Sequence, residues 1–364
     1  MASFHERDVV TVDIDLLALT EELCAVPSVS GTEAALAEFV ERRVRETAPT
    51  LHVERIGANV VVRTELGRDR RIVLGGHLDT VPANGNLEPR RDGDVLHGLG
   101  ATDMKGGLAV LLALAGDLGA VAARHDVTLV FYEGEEVADE FNGLRHLFAK
   151  QPELLQGDLA ILLEPTGSCV EAGCQGTIHV RATFDGVRAH SARPWMGVNA
   201  IHRAVPLLER CAAFESAVVV VDGLEYREAL QVVRVEGGVA NNVVPDRCEI
   251  MINRRYAPSR PLEVAVDEMR TLCADADHVE VVNASAAAPP NLSNPLVAEL
   301  LGVYNLRVRP KLGWTDVARF WAHGIPACNL GPGDPELAHT ADEKVDRADL
   351  EGCRAVLAAF CGVS

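Results

Sequence analysis

Residues 71–105 read RRIVLGGHLDTVPANGNLEPRRDGDVLHGLGATDMK, and the fold is decided by how they are read. Ile72-Val73-Leu74 is a short apolar run of the kind that forms a buried strand. Gly75-Gly76 frees the backbone, and His77-Leu78-Asp79 follows at once. Further on, Gly98-Leu99-Gly100-Ala101-Thr102-Asp103 places an Asp at the mouth of a helix expected over residues 107–118. Polar residues that leave a strand end and meet a helix start are how α/β sheets build their sites. Two plainer readings compete. His-x-Asp is often a surface hydrogen bond, and Gly98-x-Gly100 can open a dinucleotide fingerprint. The third glycine of that fingerprint would fall at Asp103, which would push a carboxylate towards a pyrophosphate, so the nucleotide reading fails. A metal reading needs further ligands downstream.

Working outward, the chain alternates helices and apolar strands. Helices are expected at residues 13–25 and 33–46, the second opened by a capping box, Ser30-Gly31-Thr32-Glu33. Strands are expected at residues 52–56, 59–64, 71–74, 127–132 and 159–163, with a helix near 141–150. Strands without alternation, spaced by helices, indicate an α/β layer fold. Near Gly176 the pattern changes. Alternating strands at 177–184, 230–236 and 248–256, helices at 198–213 and 262–274, and a strand at 279–283 give the β-α-β-β-α-β order of a ferredoxin-like unit. After a linker-like stretch, residues 285–295, the α/β signature resumes with helices at 296–304 and 316–323, a strand at 325–330 and a helix at 346–361. The expected organisation is an α/β domain, residues 1–175 and 285–364, with an α+β unit of residues 176–284 inserted.

The 364 residues carry a formal net charge of -19 and are 48% hydrophobic. That charge argues against nucleic acid or anionic membrane as a partner, since both need basic patches. No apolar run approaches transmembrane length. The first residues, MASFHERDVVTVDID, lack the pattern of a signal peptide. The nine cysteines are scattered and never spaced C-x-x-C, so they read as reduced, buried thiols of a cytoplasmic protein and not as metal ligands.

Further candidate ligands do appear. The strand at 127–132 runs into Glu133-Gly134-Glu135-Glu136, where adjacent carboxylates point in different directions and can do two jobs; a solvated acidic turn is the competing reading. The strand at 159–163 ends in Glu164-Pro165. A glycine-rich loop, Gly331-Pro332-Gly333-Asp334-Pro335-Glu336-Leu337-Ala338-His339, delivers a late imidazole. His77, Asp103, Glu135, Glu136, Glu164 and His339 thus gather at one edge of a sheet. Imidazoles mixed with carboxylates form a borderline-soft donor set that suits zinc, and a bridging carboxylate is what a two-metal site requires.

With His77-Leu78-Asp79-Thr80-Val81-Pro82, Gly100 to Gly107, Glu135-Glu136, Glu164-Pro165 and His339 in order along nearly the whole chain, the sequence resembles the dizinc acylase and aminopeptidase metallohydrolases. The likeness extends to residues 171–176, 188–193, 314–320 and 329–335, where it is greatest to deacylases of N-succinylated amino acids. The resemblance implies an amide hydrolase with two Zn2+ per subunit, replaceable by Co2+. It implies that His77 and Glu164 hold one ion, that Glu136 and His339 hold the other, and that Asp103 bridges them through a segment with a cis peptide after Asp103. Asp79 would orient His77, and Glu135 would move the proton. The inserted unit would be a lid that forms a homodimer, with its His190 stabilising the oxyanion at the partner's metals. Arg255 or Arg254 would bind a substrate carboxylate; strand alternation puts only one of them on the inner face. Asn242, Thr315 and Gly331 would line the pocket. His97 would only pack its loop.

Overall fold

Strands that bury both faces lie at the centre of the sheet. Arg71–His77, Asp126–Tyr132 and Leu159–Leu162 are buried almost from end to end, as their unbroken apolar runs require. They belong to an eight-stranded sheet in the order His52–Ile56, Asn59–Arg63, Asp126–Tyr132, Arg71–His77, Leu159–Leu162, Ala327–Asn329, Val170–Ala172, Val308–Pro310. The four neighbours from Asp126–Tyr132 to Ala327–Asn329 are mutually parallel. Their C-terminal ends therefore open on the same edge, where ligands of open α/β sheets bind. The computed structural model describes residues 14–303 and 305–363. Asp13, His5 and Tyr304, which enter the sequence reading, lie outside the described residues.

The chain divides into two compact units. One comprises Met1–Ala172, Asn291–Arg309 and Arg319–Ser364; the other comprises Gly173–Pro290 and Pro310–Ala318. In the first unit the helix Gly106–Ala120, GGLAVLLALAGDLGA, is buried along nearly its whole length. A helix apolar all round has no face to give to water, so it sits inside. Its one ionisable residue, Asp117, is fully buried and accepts two hydrogen bonds from Arg354 of the helix Arg347–Cys361, at 2.7 and 3.1 Å. The helices Leu16–Cys24 and Ala34–Thr47 add their buried faces to the same core.

The second unit is a four-stranded antiparallel sheet in the order Ala229–Gly237, Arg247–Tyr256, Gly176–Asp185, His278–Ser285. Helices Ala200–Ala212 and Leu262–Leu272 pack on it through Ala204, Leu207, Ala265 and Met269. This is the ferredoxin-like strand order. Residues 310–318 belong to this unit and not to the α/β domain, because they are tied to it. Lys311 O accepts from Gln175 N at 3.2 Å, and Trp314 Nε1 donates to Ala286 O at 3.1 Å.

Some local expectations change. The capping box does not form: helix Ala34–Thr47 has no side-chain cap, the Ser30 hydroxyl is bonded to Asp79, and Glu33 accepts from Gly31 N. The helix expected at 141–150 is split into a turn at Asp139–Phe141 and a helix Gly143–Lys150, capped by the Asn142 side chain. The strand expected at 325–330 is only Ala327–Asn329. A small sheet of Arg90–Asp92, Val95–His97 and Lys344–Asp346 and a hairpin of Val218–Val221 with Leu224–Arg227 are additional. All nine cysteines are buried free thiols, and no helix among the described residues is long and apolar enough to cross a membrane.

Arg354 is the cation bonded to the buried carboxylate of Asp117. Arg354→Ala leaves the buried carboxylate without its cation, which typically costs about 3–5 kcal/mol. Urea unfolding followed by circular dichroism is expected to show a lowered midpoint with unchanged helix content before the transition.

Candidate metal centre

His77 is the last residue of the strand Arg71–His77. Its Nδ1 lies 2.9 Å from the carbonyl oxygen of Asp79, and its Nε2 lies 3.1 Å from Asp103 Oδ1. A carbonyl can only accept, so Nδ1 carries a proton, and in the neutral ring the lone pair is on Nε2. Asp103 stands just ahead of the helix Gly106–Ala120, and the Asp103–Met104 peptide bond is cis. Its other oxygen, Oδ2, lies 3.3 Å from His339 Nε2. His339 Nε2 is also 2.8 Å from Glu136 Oε1. One carboxylate thus presents an oxygen to each of two imidazoles. Ligand atoms of His77, Asp103 and Glu136 all fall within 4.8 Å of one another, the spacing of a metal-binding cluster.

Glu135 and Glu136 follow the strand Asp126–Tyr132 and are placed by Asp79. The Glu135 N–H donates to Asp79 Oδ1 at 2.9 Å, the Glu136 N–H donates to Oδ2 at 3.0 Å, and the Ser30 hydroxyl donates to Oδ2 at 2.7 Å. Asp79 is fully buried, so it orients the loop that carries both carboxylates as well as sitting 3.5 Å from His77 Nδ1. Glu164, also buried, follows the strand Leu159–Leu162 and is one of the charges acting on His77. Gly331 packs behind it. A Cβ there would lie 2.3 Å from Leu163 O and 2.4 Å from Glu164 O, and Gly331 N donates to Thr166 Oγ1 at 3.1 Å. Only a glycine lets the late loop close on the Glu164 backbone.

The electrostatics are those of a cation site. Burial pushes the Asp79 carboxyl up, but bonds from His77, the Glu136 N–H and Ser30 outweigh it and hold it at about 2. Burial likewise opposes ionisation of Asp103, and His339 and His77 more than offset it, so its carboxyl is held well down. Burial disfavours the His77 cation, yet Asp103 and Asp79 hold it protonated far above the usual imidazole range. Hydrogen bonds to Asp103 and Glu136 raise His339 to about 10. A divalent ion held by the same carboxylates would take the place of those protons, since an imidazole ligand must be deprotonated. Two imidazole nitrogens with three or four carboxylates are ligands a borderline ion accepts, and the residues present fit it.

The remaining candidates belong to the second unit. Arg254 is buried and spends its guanidinium on Glu228 at 2.6 Å, on two carbonyls and on the Phe214 ring. Arg255, one residue on, takes the opposite sheet face with Asn253 and His179, and no ion pair to it is seen among the described residues. His190 is exposed; its Nδ1 accepts from Ala192 N at 3.0 Å. Beside it, Asn242 is exposed, and its carbonyl accepts from Ser191 N at 2.9 Å. Thr315 is buried, its carbonyl accepting from Ala318 N and the Cys174 thiol. His97 sits in the small sheet opposite Lys344.

Sequence reasoning missed Ser30 and Glu343. Glu343 is buried and accepts from Thr102 N at 3.1 Å and Asp103 N at 2.9 Å; burial raises its carboxyl to about 7 despite those bonds. Its only signal in the sequence is position, four residues past His339.

The family model for peptidase family M20/M25/M40 matches residues 73–362. A Mycobacterium tuberculosis protein provisionally named succinyl-diaminopimelate desuccinylase is 46% identical over 349 residues, covering 96% of this chain and 98% of that one. A Corynebacterium glutamicum succinyl-diaminopimelate desuccinylase is 44% identical over 350 residues, covering 94% and 95%. Among solved structures, a Staphylococcus aureus tripeptidase superposes with a TM-score of 0.77 at 21% identity, covering 96% of this chain and 97% of that one. With the gathered donor set, these matches place the protein: the chain is a metallohydrolase of peptidase family M20/M25/M40.

Proposed function

We propose that this chain hydrolyses N-succinyl-LL-2,6-diaminopimelate to succinate and LL-2,6-diaminopimelate, a step towards lysine and peptidoglycan, as a cytoplasmic enzyme. The observation that carries the reading is the Asp103 carboxylate held between His77 and His339, in a chain 44% identical to a desuccinylase over nearly its full length. His77 and Glu164 would hold one Zn2+, Glu136 and His339 would hold the second, and Asp103 would serve both; Co2+ would be able to replace zinc. When bound, the ions supply Lewis acidity that polarises the amide carbonyl and eases the loss of a proton from water.

The chain's own residues do the rest. Glu135, aimed by the bond from its N–H to Asp79, takes the proton from the attacking water. It returns that proton to the amine as the amide C–N bond breaks, leaving succinate and the free amino group. His190 accepts at Nδ1 from Ala192, so its Nε2 carries the hydrogen and serves as a donor to the oxyanion. Arg255, on the sheet face where its guanidinium has no carboxylate partner among the described residues, binds a substrate carboxylate with its planar fork. Asn242 brings its side-chain amide to the substrate, and Thr315 and Gly331 serve the succinyl group. The inserted unit is a lid that pairs with a second copy, and the dimer needs only one self-complementary surface.

Two measurements test this reading. Purified enzyme is assayed in parallel on N-succinyl-diaminopimelate and N-acetylornithine, with Glu135→Gln as control. Turnover is expected on the succinylated substrate, lost on chelation and dialysis and restored by Zn2+. Glu135→Gln should lower kcat by about 10²–10⁴-fold at unchanged zinc content. Faster turnover of N-acetylornithine, or activity that survives chelation, would overturn the assignment. The second measurement mixes two inactive variants, His190→Ala and Glu135→Gln. If His190 serves the partner's site, subunit exchange builds one site with both residues intact and activity returns. A monomer in solution, or no recovery on mixing, rejects a shared site.

A further inference from the structure

Glu343 does none of the chemistry assigned above, yet its side chain is among the most buried carboxylates of the first unit. Burying a carboxylate costs several kcal/mol unless its oxygens are well bonded. Here they are bonded to one short stretch of backbone. Oε1 accepts from the N–H groups of Thr102 at 3.1 Å and Asp103 at 2.9 Å. The neighbouring backbone continues the seam. Glu343 O accepts from Gly98 N at 3.1 Å, and Lys344 O accepts from the Thr102 hydroxyl at 2.8 Å. Residues 98–103 are therefore laced along residues 343–344. Lys344–Asp346 is in turn fixed as a strand against Val95–His97. Gly333, on the same late loop, has a φ of 83° and lies where a Cβ would meet Thr102 Oγ1 at 2.2 Å.

A carboxylate that collects successive main-chain N–H groups of one turn fixes the orientation of that turn. Asp103 must present Oδ1 to His77 and Oδ2 to His339 at once, so the rotation of its peptide decides whether both contacts can be made. We infer that Glu343 is a positioning residue for Asp103: by anchoring the Asp103 N–H from the segment that also carries His339, it locks the shared carboxylate in register with both halves of the metal centre. The inference rests on the two-metal reading proposed above. It makes a prediction that a ligand on one half does not. Losing Glu343 weakens both halves together, whereas losing Glu136 weakens one.

The test titrates metal-free, full-length protein with Zn2+ by calorimetry in the presence of a competing chelator, with circular dichroism as a check on folding. Wild type, Glu343→Ala, Glu343→Gln and Glu136→Gln are compared. Wild type is expected to take up two ions. Glu343→Ala should lose about 10–100-fold in affinity for both, the usual cost of removing a group that orients a ligand. Glu343→Gln, whose amide oxygen can accept the same N–H groups, should recover most of that loss, and Glu136→Gln should be weakened at one ion only. Where Glu343→Ala does not fold, Glu343→Asp, which draws the carboxylate back by a methylene, carries the test with the same expectation. Wild-type affinity for both ions in Glu343→Ala or Glu343→Asp, or a loss confined to one ion, overturns the role given to Glu343. Uptake of fewer than two ions by wild type overturns the two-metal reading itself and the inference with it.

Discussion

Asp103 Oδ1 stands 3.1 Å from one imidazole and Oδ2 3.3 Å from another, and that double contact is what the first unit is built to hold. Asp79, Asp103, Glu164 and Glu343 put several carboxylates in or near a buried space. Like charges that close cannot all ionise without compensation. Part of the compensation is fixed in the backbone. Peptide N–H groups of Glu135 and Glu136 serve Asp79, and those of Thr102 and Asp103 serve Glu343. The rest must come from mobile cations, either protons on His77 and His339 or divalent metal. Two of these carboxylates hold the backbone of another: Asp79 accepts from Glu136 N and Glu343 accepts from Asp103 N.

The parallel strands make this economical. Asp126–Tyr132, Arg71–His77, Leu159–Leu162 and Ala327–Asn329 are adjacent and co-directional, so the segments that follow them all leave from one edge of the sheet. A net charge of -19 might be thought to repel a substrate carrying several carboxylates. Charges on the surface are screened over about 8 Å at physiological ionic strength. Local cations then decide, and no ion pair to the guanidinium of Arg255 is seen among the described residues, which suits the role proposed for it.

Much of this was legible in the sequence. The apolar runs, the switch to alternation near Gly176, and His77, Asp103, Glu136 and His339 each carry a local signal. What was not legible depends on contacts distant in the chain. Ser30 sits in a perfectly good capping pattern and is recruited instead by Asp79, 49 residues away. Glu343 reads as an ordinary surface acid until the Gly98–Asp103 loop folds over it. Gly331 was read as a pocket residue, whereas its demonstrable constraint is the close approach to Leu163 and Glu164. The hairpin Val218–Val221/Leu224–Arg227 is different. Asp222-Gly223, both with positive φ, is a strong two-residue turn signal between apolar runs, so that element was readable and went unread.

The histidines show how the backbone assigns chemistry to identical side chains. At His77 the partner of Nδ1 is a carbonyl, Asp79 O. Nδ1 must donate, which leaves a lone pair on Nε2 in the neutral ring, the form a metal ligand requires. At His190 the partner of Nδ1 is an N–H, that of Ala192. Nδ1 must accept, which places the hydrogen on Nε2 and makes that nitrogen a donor. The ligand role proposed for His77 and the oxyanion role proposed for His190 need opposite tautomers, and the two local backbones favour them. The same logic separates the arginines. Alternation along Arg247–Tyr256 sends Arg254 into the core side, where Glu228 neutralises it, and Arg255 to the other face. A one-residue slip in the pairing of that strand with Gly176–Asp185 would exchange them. Ten consecutive residue pairs fix the register, so the choice of arginine is a property of the sheet and not of the loop that follows it.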